Sequence, residues 1–227
     1  VYSGGGDITF KGSTNEYNIT SIRGIEFVGD LNIYSGEGAI EFDGKILRTN
    51  GVSGYGIEFA DGTSNSVSVI SDKANGDAIT INGNNTPHNV GIYFGATTSG
   101  LFEATSGGNI MVTTAKGIQT TDDYTFQTNG GDIVMWPNNT GANRGRLYID
   151  ENNIFNSIGG QTDQATGGGN IIFAGGNDDG NNRPSGYTRN DTKNQGIYIR
   201  SGLEVYSGGG DITFKGSTNE YNISSIR

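Results

Sequence analysis

Apolar and polar residues alternate along the chain in short bursts, many of them opened by glycine: GIYI from Gly196, GIEF from Gly24 and again from Gly56, GIYF from Gly91, GIQT from Gly117 and, less regularly, GRLYI from Gly145. Alternation with a period of two sends successive side chains to opposite faces of a strand. The longest glycine-free stretches, 63–75 and 146–158, lack the spacing of an amphipathic helix. The pattern predicts an all-β chain. Three bursts recur in order within each unit. After Gly196 they are 197–199, 203–206 and 211–214; after Gly24 they read GIEF, LNIY and AIEF. A glycine and an Asp or Asn usually precede the third burst, as in Gly76-Asp77, Gly108-Asn109, Gly131-Asp132, Gly169-Asn170 and Gly210-Asp211. Glycine tolerates positive φ and Asx side chains close turns, so these pairs predict corners. Three strands and three corners describe one triangular coil of a parallel β-solenoid. Each short strand then finds its backbone partners in the same strand of the next coil, about 4.8 Å away.

The coil sits inside a longer repeat. Residues 1–23 return as residues 205–227 with 22 identities in 23 positions, differing only at Thr20 and Ser224. The period is therefore 204 residues, and the units beginning at Gly196, Gly24, Gly56, Gly91, Gly117 and Gly145 fill it without remainder. Six coils per period are expected, in one continuous solenoid over 1–227. The duplication, with a sequence that opens on Val1, reads as an excerpt from a tandem array.

Composition sharpens this. Of 49 Ile, Val, Leu and Phe residues, 25 are Ile and 5 are Leu, a balance that suits pleated surfaces rather than helices. There is no Cys and one His, His88, which excludes thiolate and two-histidine metal sites and places His88 in a loop after Thr86-Pro87. No run of about 18 apolar residues exists to span a bilayer. The formal charge of −10 argues against nucleic-acid partners, which need clustered Lys and Arg.

Aligning the units gives outward columns. The first-strand column reads Tyr198, Glu26, Glu58, Tyr93, Gln119, Tyr148. Glu26 and Glu58 stacked one coil apart are candidate ligands for a bridging calcium ion, though two carboxylates fall short of the six to eight oxygens calcium takes; solvated glutamates are the plainer reading. The third-strand column reads Thr213, Glu41, Thr80, Met111, Val134, Ile172. Met111, Val134 and Ile172, with Trp136 at the strand end, predict either a lateral interface between fibres or a stripe covered by the chain's own loop at 175–195. The same alignment points Glu103 inward, which implies a slip or bulge near 101–104. In the Gly145 unit the second strand falls at 153–157, with an insertion behind it. For catalysis the candidates are Asp122-Asp123, Asp150-Glu151, Asp178-Asp179, Arg144 and Arg146, but acids adjacent in sequence read as solvated turns. Tyr34, Tyr93 and Tyr206 are outward ladder positions, where packing between coils is the plainer reading and stacking of surface sugars the alternative. N-x-[ST] triplets occur at Asn18, Asn84, Asn138, Asn190 and Asn222.

The GGGDITF, GGDIVMW and GGGNIIF segments, with LNIYSGEGAIEF between coils, resemble the repetitive shafts of filamentous-haemagglutinin-like adhesins and related giant bacterial surface proteins. The resemblance implies a right-handed parallel β-helix, secreted to the cell surface, that builds fibres or attaches cells. Its partners would be further copies of itself and surface glycans, with no catalytic residue and no cofactor. The alternatives are a glycan-binding or glycan-degrading β-helix of the phage-tailspike kind, and a filament of separate subunits stacked end to end.

Overall fold

Strands of two to nine residues have too few interactions to stand alone, and in the three parallel sheets each strand's partner lies one repeat away. The computed structural model describes residues 1–15, 21–47, 53–59, 65–85, 89–95, 99–140, 145–159, 167–186, 188–189 and 196–217. Among them there is no helix. Three parallel sheets account for most strands. The first holds β2 (Ser21–Phe27), β5 (Ser53–Phe59), β8 (Val90–Phe94), β11 (Gly117–Thr120), β14 (Leu147–Ile149) and β20 (Ile197–Ile199), neighbours in that order. The second holds β3 (Leu31–Tyr34), β6 (Ser66–Ser71), β9 (Ser99–Ala104), β12 (Tyr124–Thr128), β15 (Asn153–Asn156) and β21 (Leu203–Tyr206). The third holds β1 (Ile8–Thr14), β4 (Ile40–Ile46), β7 (Asp77–Asn85), β10 (Asn109–Thr113), β13 (Ile133–Trp136), β16 (Ile171–Phe173) and β22 (Ile212–Phe214). The chain visits the sheets in turn and steps one strand along each, an arrangement consistent with a β-solenoid.

Inward residues of all three sheets meet in one core. Phe42, Phe59, Phe94, Phe102, Phe126, Phe155 and Phe173 are fully buried among Ile40, Ile57, Ile79, Ile92, Ile110, Ile118, Ile133 and Ile171. Rings stack along the axis, Phe10 on Phe42 at 5.2 Å, Phe59 on Phe94 at 5.3 Å and Phe126 on Phe155 at 5.0 Å. Each such pair adds about 0.5–1.5 kcal/mol beyond its area burial.

Corners are held by polar ladders. Between the second and third strands an inward hydroxyl bonds a glycine carbonyl: Ser35 and Ser71 donate to Gly38 at 2.6 and 2.8 Å, Thr128 to Gly131, Ser157 to Gly169 at 2.8 Å and Ser207 to Gly210 at 2.7 Å. Beside it an Asx carbonyl accepts the backbone N–H of the next strand along the axis. Asp7 caps Ala39 at 2.8 Å, Asn109 caps Asp132 at 3.0 Å, Asp132 caps Asn170 at 2.6 Å and Asn170 caps Asp211 at 2.9 Å. Backbones pass so closely that a Cβ on Gly131 would lie 2.1 Å from the Gly108 carbonyl oxygen, and one on Gly169 2.2 Å from that of Gly131. No side chain fits there.

Two features differ from the sequence expectation. β9 carries no bulge: it pairs residue by residue with β6 and β12, turning Phe102 and Ala104 inward and Glu103 outward to accept from Gln127 at 2.5 Å. The strand starts at Ser99, and Gly100 takes an inward position against the Tyr124 ring, which reverses the assumed parity. Register shifts lie instead between β7 and β10, where Ala78 is the extra residue, and between β8 and β11, where Gly91 is. The strands near the first copy are also longer than four residues: β1, β4 and β7 run on past the corner before β2, β5 and β8 return, and Gly12 pairs with Gly44 and Gly44 with Gly83.

Candidate functional site

Both outward columns follow the register expected from the sequence. In the first sheet Glu26 pairs with Glu58, Glu58 with Tyr93, Tyr93 with Gln119, Gln119 with Tyr148 and Tyr148 with Tyr198. Stacking two carboxylates is unfavourable unless something lies between them, and Arg23 does. Its Nε donates to Glu58 Oε2 and sits 3.9 Å from Glu26 Oε1, while Nη1 donates to Ser21 Oγ at 2.7 Å. The guanidinium also lies over the Tyr55 ring at 4.8 Å, and Tyr55 stacks on Tyr93 at 4.6 Å. Burial, with Tyr93 beside it, pushes the Tyr55 hydroxyl pKa up against the opposing pull of Arg23. Glu58 keeps only 3% of its surface exposed, so the expected pair of solvated glutamates is half buried and the place proposed for a bridging cation holds an arginine. The sequence reading missed Arg23 because it precedes the glycine taken as the unit's start.

Further along this face Asp150 is enclosed by four donors. Tyr148 reaches it at 2.7 Å, Arg200 at 3.0 Å, Ser201 at 3.0 Å and the Glu151 N–H at 3.1 Å. Burial pushes its carboxyl pKa up, but these hydrogen bonds outweigh burial and hold it below the usual carboxylate range. Arg146 lies over the Tyr148 ring at 4.7 Å. Tyr148 in turn stacks on Tyr198 at 5.4 Å.

In the third sheet the column runs Thr9, Glu41, Thr80, Met111, Val134, Ile172, Thr213. The apolar stripe is real but it is not open. Met111, Val134 and Trp136 are buried as a small separate cluster against Ile172. An antiparallel hairpin of β17 (Gly175–Asp178) and β18 (Pro184–Gly186) lies over them. Trp136 Nε1 donates to the Gly176 carbonyl at 2.7 Å, and Arg183 pairs with Asp132 at a cavity of about 90 Å³ that Asp77, Asn109, Met111, Val134 and Asn182 also line. Of the two readings of this stripe, the geometry places the chain's own loop over Met111, Val134 and Trp136, while Ile172 stays partly exposed beside them.

The other candidate acids are occupied in turns. Asp122 Oδ1 caps the Asp123 N–H at 3.0 Å, Asp123 caps Asn152 at 3.0 Å, Asp178 accepts from Gly180 and Asn182 at 2.9 Å each, and Asp179 accepts from Asn181 at 2.8 Å. Tyr34 donates to Asp72, which Thr105 also bonds at 2.5 Å, and Tyr206 donates to Glu204 at 2.7 Å. Asn138 is buried, and Asn84 uses its carbonyl to accept the Ala115 N–H at 2.8 Å. His88, Arg144, Asn18, Asn190 and Asn222 lie outside the described residues. Among the described residues no group of three or more His, Asp and Glu side chains is gathered so as to hold a metal ion, and no helix is long and apolar enough to cross a membrane.

What the geometry defines is a class of architecture: stacked parallel strands whose outer polar groups are spent largely on one another. No protein-family model matches the chain, and no curated protein or solved structure matches it either.

Proposed function

We propose that the chain is a non-enzymatic structural protein, a stretch of a secreted bacterial surface fibre or adhesin shaft in which a right-handed coil recurs six times per 204 residues. The observation that carries this reading is the placement of the described parts of the two copies, with β1 and β22 at opposite ends of the third sheet. One period thus ends in the coil with which it began, the condition for repetition without a seam. The occupied outer faces give further support, since Asp122, Asp123, Asp150, Asp178, Asp179 and Arg146, among the groups a glycan-active β-helix would aim into a groove, are here engaged in turns and ring contacts.

The test is an intact mass of the natural material with electron micrographs of it. Six coils at about 4.8 Å each rise about 29 Å, so an axial period of about 29 Å or a multiple is expected from a very long chain. A natural product with the mass of a single 227-residue chain and no axial period refutes the reading.

A further inference from the structure

Four asparagines in the chain precede glycine: Asn50, Asn75, Asn82 and Asn129. A following glycine leaves the peptide nitrogen unshielded by a Cβ, so that nitrogen reaches the Asn side-chain amide with the least hindrance. Asn50 lies outside the described residues, and the fold holds the other three differently. Asn82 sits inside β7, opposite Asp43, with Gly83 opposite Gly44; its amide donates to Asp43 at 3.3 Å and accepts from Asn84 at 3.3 Å. Asn129 follows β12. Its N–H donates to the Ala104 carbonyl at 3.0 Å, and the Gly130 N–H donates to the Ser157 carbonyl at 2.8 Å. Asn75 is exposed at the corner between β6 and β7. Among the described residues nothing bonds its side chain or accepts the Gly76 N–H. Gly76 takes a φ of +66°, and a Cβ there would meet nothing within 4 Å, so water reaches the peptide from outside.

We propose that Asn75 is a site of spontaneous deamidation set up by this corner, and that the fold protects Asn82 and Asn129 from the same reaction. The Gly76 nitrogen gives up its proton and attacks Asn75 Cγ. The new C–N bond closes a succinimide ring, and the side-chain nitrogen leaves as ammonia, taking up that proton. Water then opens the ring. Breaking the bond from nitrogen to Cγ gives aspartate in the original backbone; breaking the bond to the main-chain carbonyl carbon gives isoaspartate, with the chain running through Cγ. A nitrogen whose N–H is held by a carbonyl, as at Gly130, must first break that bond, and one fixed in a ladder must first open the ladder. The corner also gives the product a structural consequence. The Lys73 and Gly76 carbonyls, on either side of Asn75, accept the N–H groups of Gly108 at 3.0 Å and Asn109 at 2.8 Å from the next coil. Isoaspartate inserts one more backbone carbon between these acceptors while their donors stay adjacent in sequence. Both bonds cannot keep their present lengths, so the seam between these two coils weakens.

The test ages the full-length chain at mildly alkaline pH and reads tryptic peptides by tandem mass spectrometry with electron-transfer fragmentation, which separates aspartate from isoaspartate. Asn75 is expected to convert at least about tenfold faster than Asn82 or Asn129, with isoaspartate among the products. In guanidinium chloride, where no ladder remains, the three rates are expected to converge. No conversion at Asn75, or conversion at Asn82 or Asn129 as fast as at Asn75 in the folded chain, overturns the proposal. A preference for Asn75 that persists in denaturant also overturns it, because the cause is then the neighbouring sequence rather than the corner. Asn75→Gln, whose longer side chain closes a ring far more slowly, tests the consequence. Once Asn75 is converted, the parent chain is expected to melt about 2–4 °C lower than before ageing, the shift for one lost hydrogen bond in a chain of this size, while aged Asn75→Gln keeps its midpoint. An equal fall in both chains overturns the link between this corner and stability.

Discussion

Removing the Arg23 guanidinium while keeping its volume, as in Arg23→Met, isolates the electrostatic part of the first-sheet face. The Glu58 side chain is 4% exposed and that of Arg23 15%, so the carboxylate left behind has little water to turn to. Breaking a buried pair from one side costs about 3–5 kcal/mol because the remaining charge is uncompensated. For a chain of this size each kcal/mol moves the melting midpoint by about 2–4 °C, so the expected fall is roughly 6–20 °C. Glu58→Gln is milder, about 1.5–3 kcal/mol, since Arg23 retains Ser21, the Ile22 carbonyl and the Tyr55 ring. The double variant Arg23→Met/Glu58→Gln is expected to be more stable than Arg23→Met alone, because replacing both charges removes the stranded carboxylate. Urea titrations of the four chains, followed by far-UV circular dichroism, give the coupling energy. A loss below about 1 kcal/mol for Arg23→Met, with additive single and double variants, would refute the idea that Glu58 depends on Arg23.

Other outcomes follow from the corners and faces. Gly131→Ala forces a Cβ to 2.1 Å from the Gly108 carbonyl and is expected to cost more than about 2 kcal/mol, while Gly4→Ala, with nothing within 4 Å, changes stability by less than about 0.5 kcal/mol; paired urea midpoints check both. Asp150 has a lowered folded pKa, so its stabilisation is present above the unfolded value of about 3.9 and is lost as pH falls through the folded one. Asp150→Asn should flatten stability below pH 4 relative to the parent chain, which pH-dependent melting measures. Trp136 is the one tryptophan and is 3% exposed, so acrylamide should quench native fluorescence several-fold less than that of the urea-unfolded chain. Millimolar calcium should leave the melting midpoint unchanged, because Arg23 sits between the Glu26 and Glu58 carboxylates.

How legible each part was depended on how far its cause extends along the chain. The outward columns could be read because a period of two fixes which face a residue takes, and the glycine and Asx corners fix where counting restarts. The second strand at 153–157 was recovered for the same reason, as β15 over Asn153–Asn156. Glu103 was misplaced because parity depends on the starting residue, and Gly100, with no side chain, gives no apolar signal for its inward position. The hydroxyl ladder was illegible as a core feature: Ser35, Ser71, Thr128 and Ser157 look like loop residues until the stacked corners bury them. Arg23 depends on contacts between coils, which no local pattern encodes, whereas a loop from 175–195 over Met111, Val134 and Trp136 was one of the two readings the apolar column offered.

The polar ladders also give the stack a direction. At seven corners the side-chain oxygen of an Asp or Asn accepts an N–H from the following strand along the axis: Asp7 from Ala39, Asp30 from Ser66, Asn84 from Ala115, Asn109 from Asp132, Asp123 from Asn152, Asp132 from Asn170 and Asn170 from Asp211. The Glu151 N–H runs the other way, to Ser201. The common sense is expected of parallel stacking, because a residue type at the same corner keeps the same Cβ direction in every coil. Each coil therefore turns its Asx acceptors toward the following coil and its N–H donors toward the preceding one. Coils brought together through like edges would set acceptor against acceptor or donor against donor, so coil stacking is heterologous, head to tail. A direction built into every corner is what allows a long assembly to grow without reversing, whether the next coil belongs to the same chain or to another.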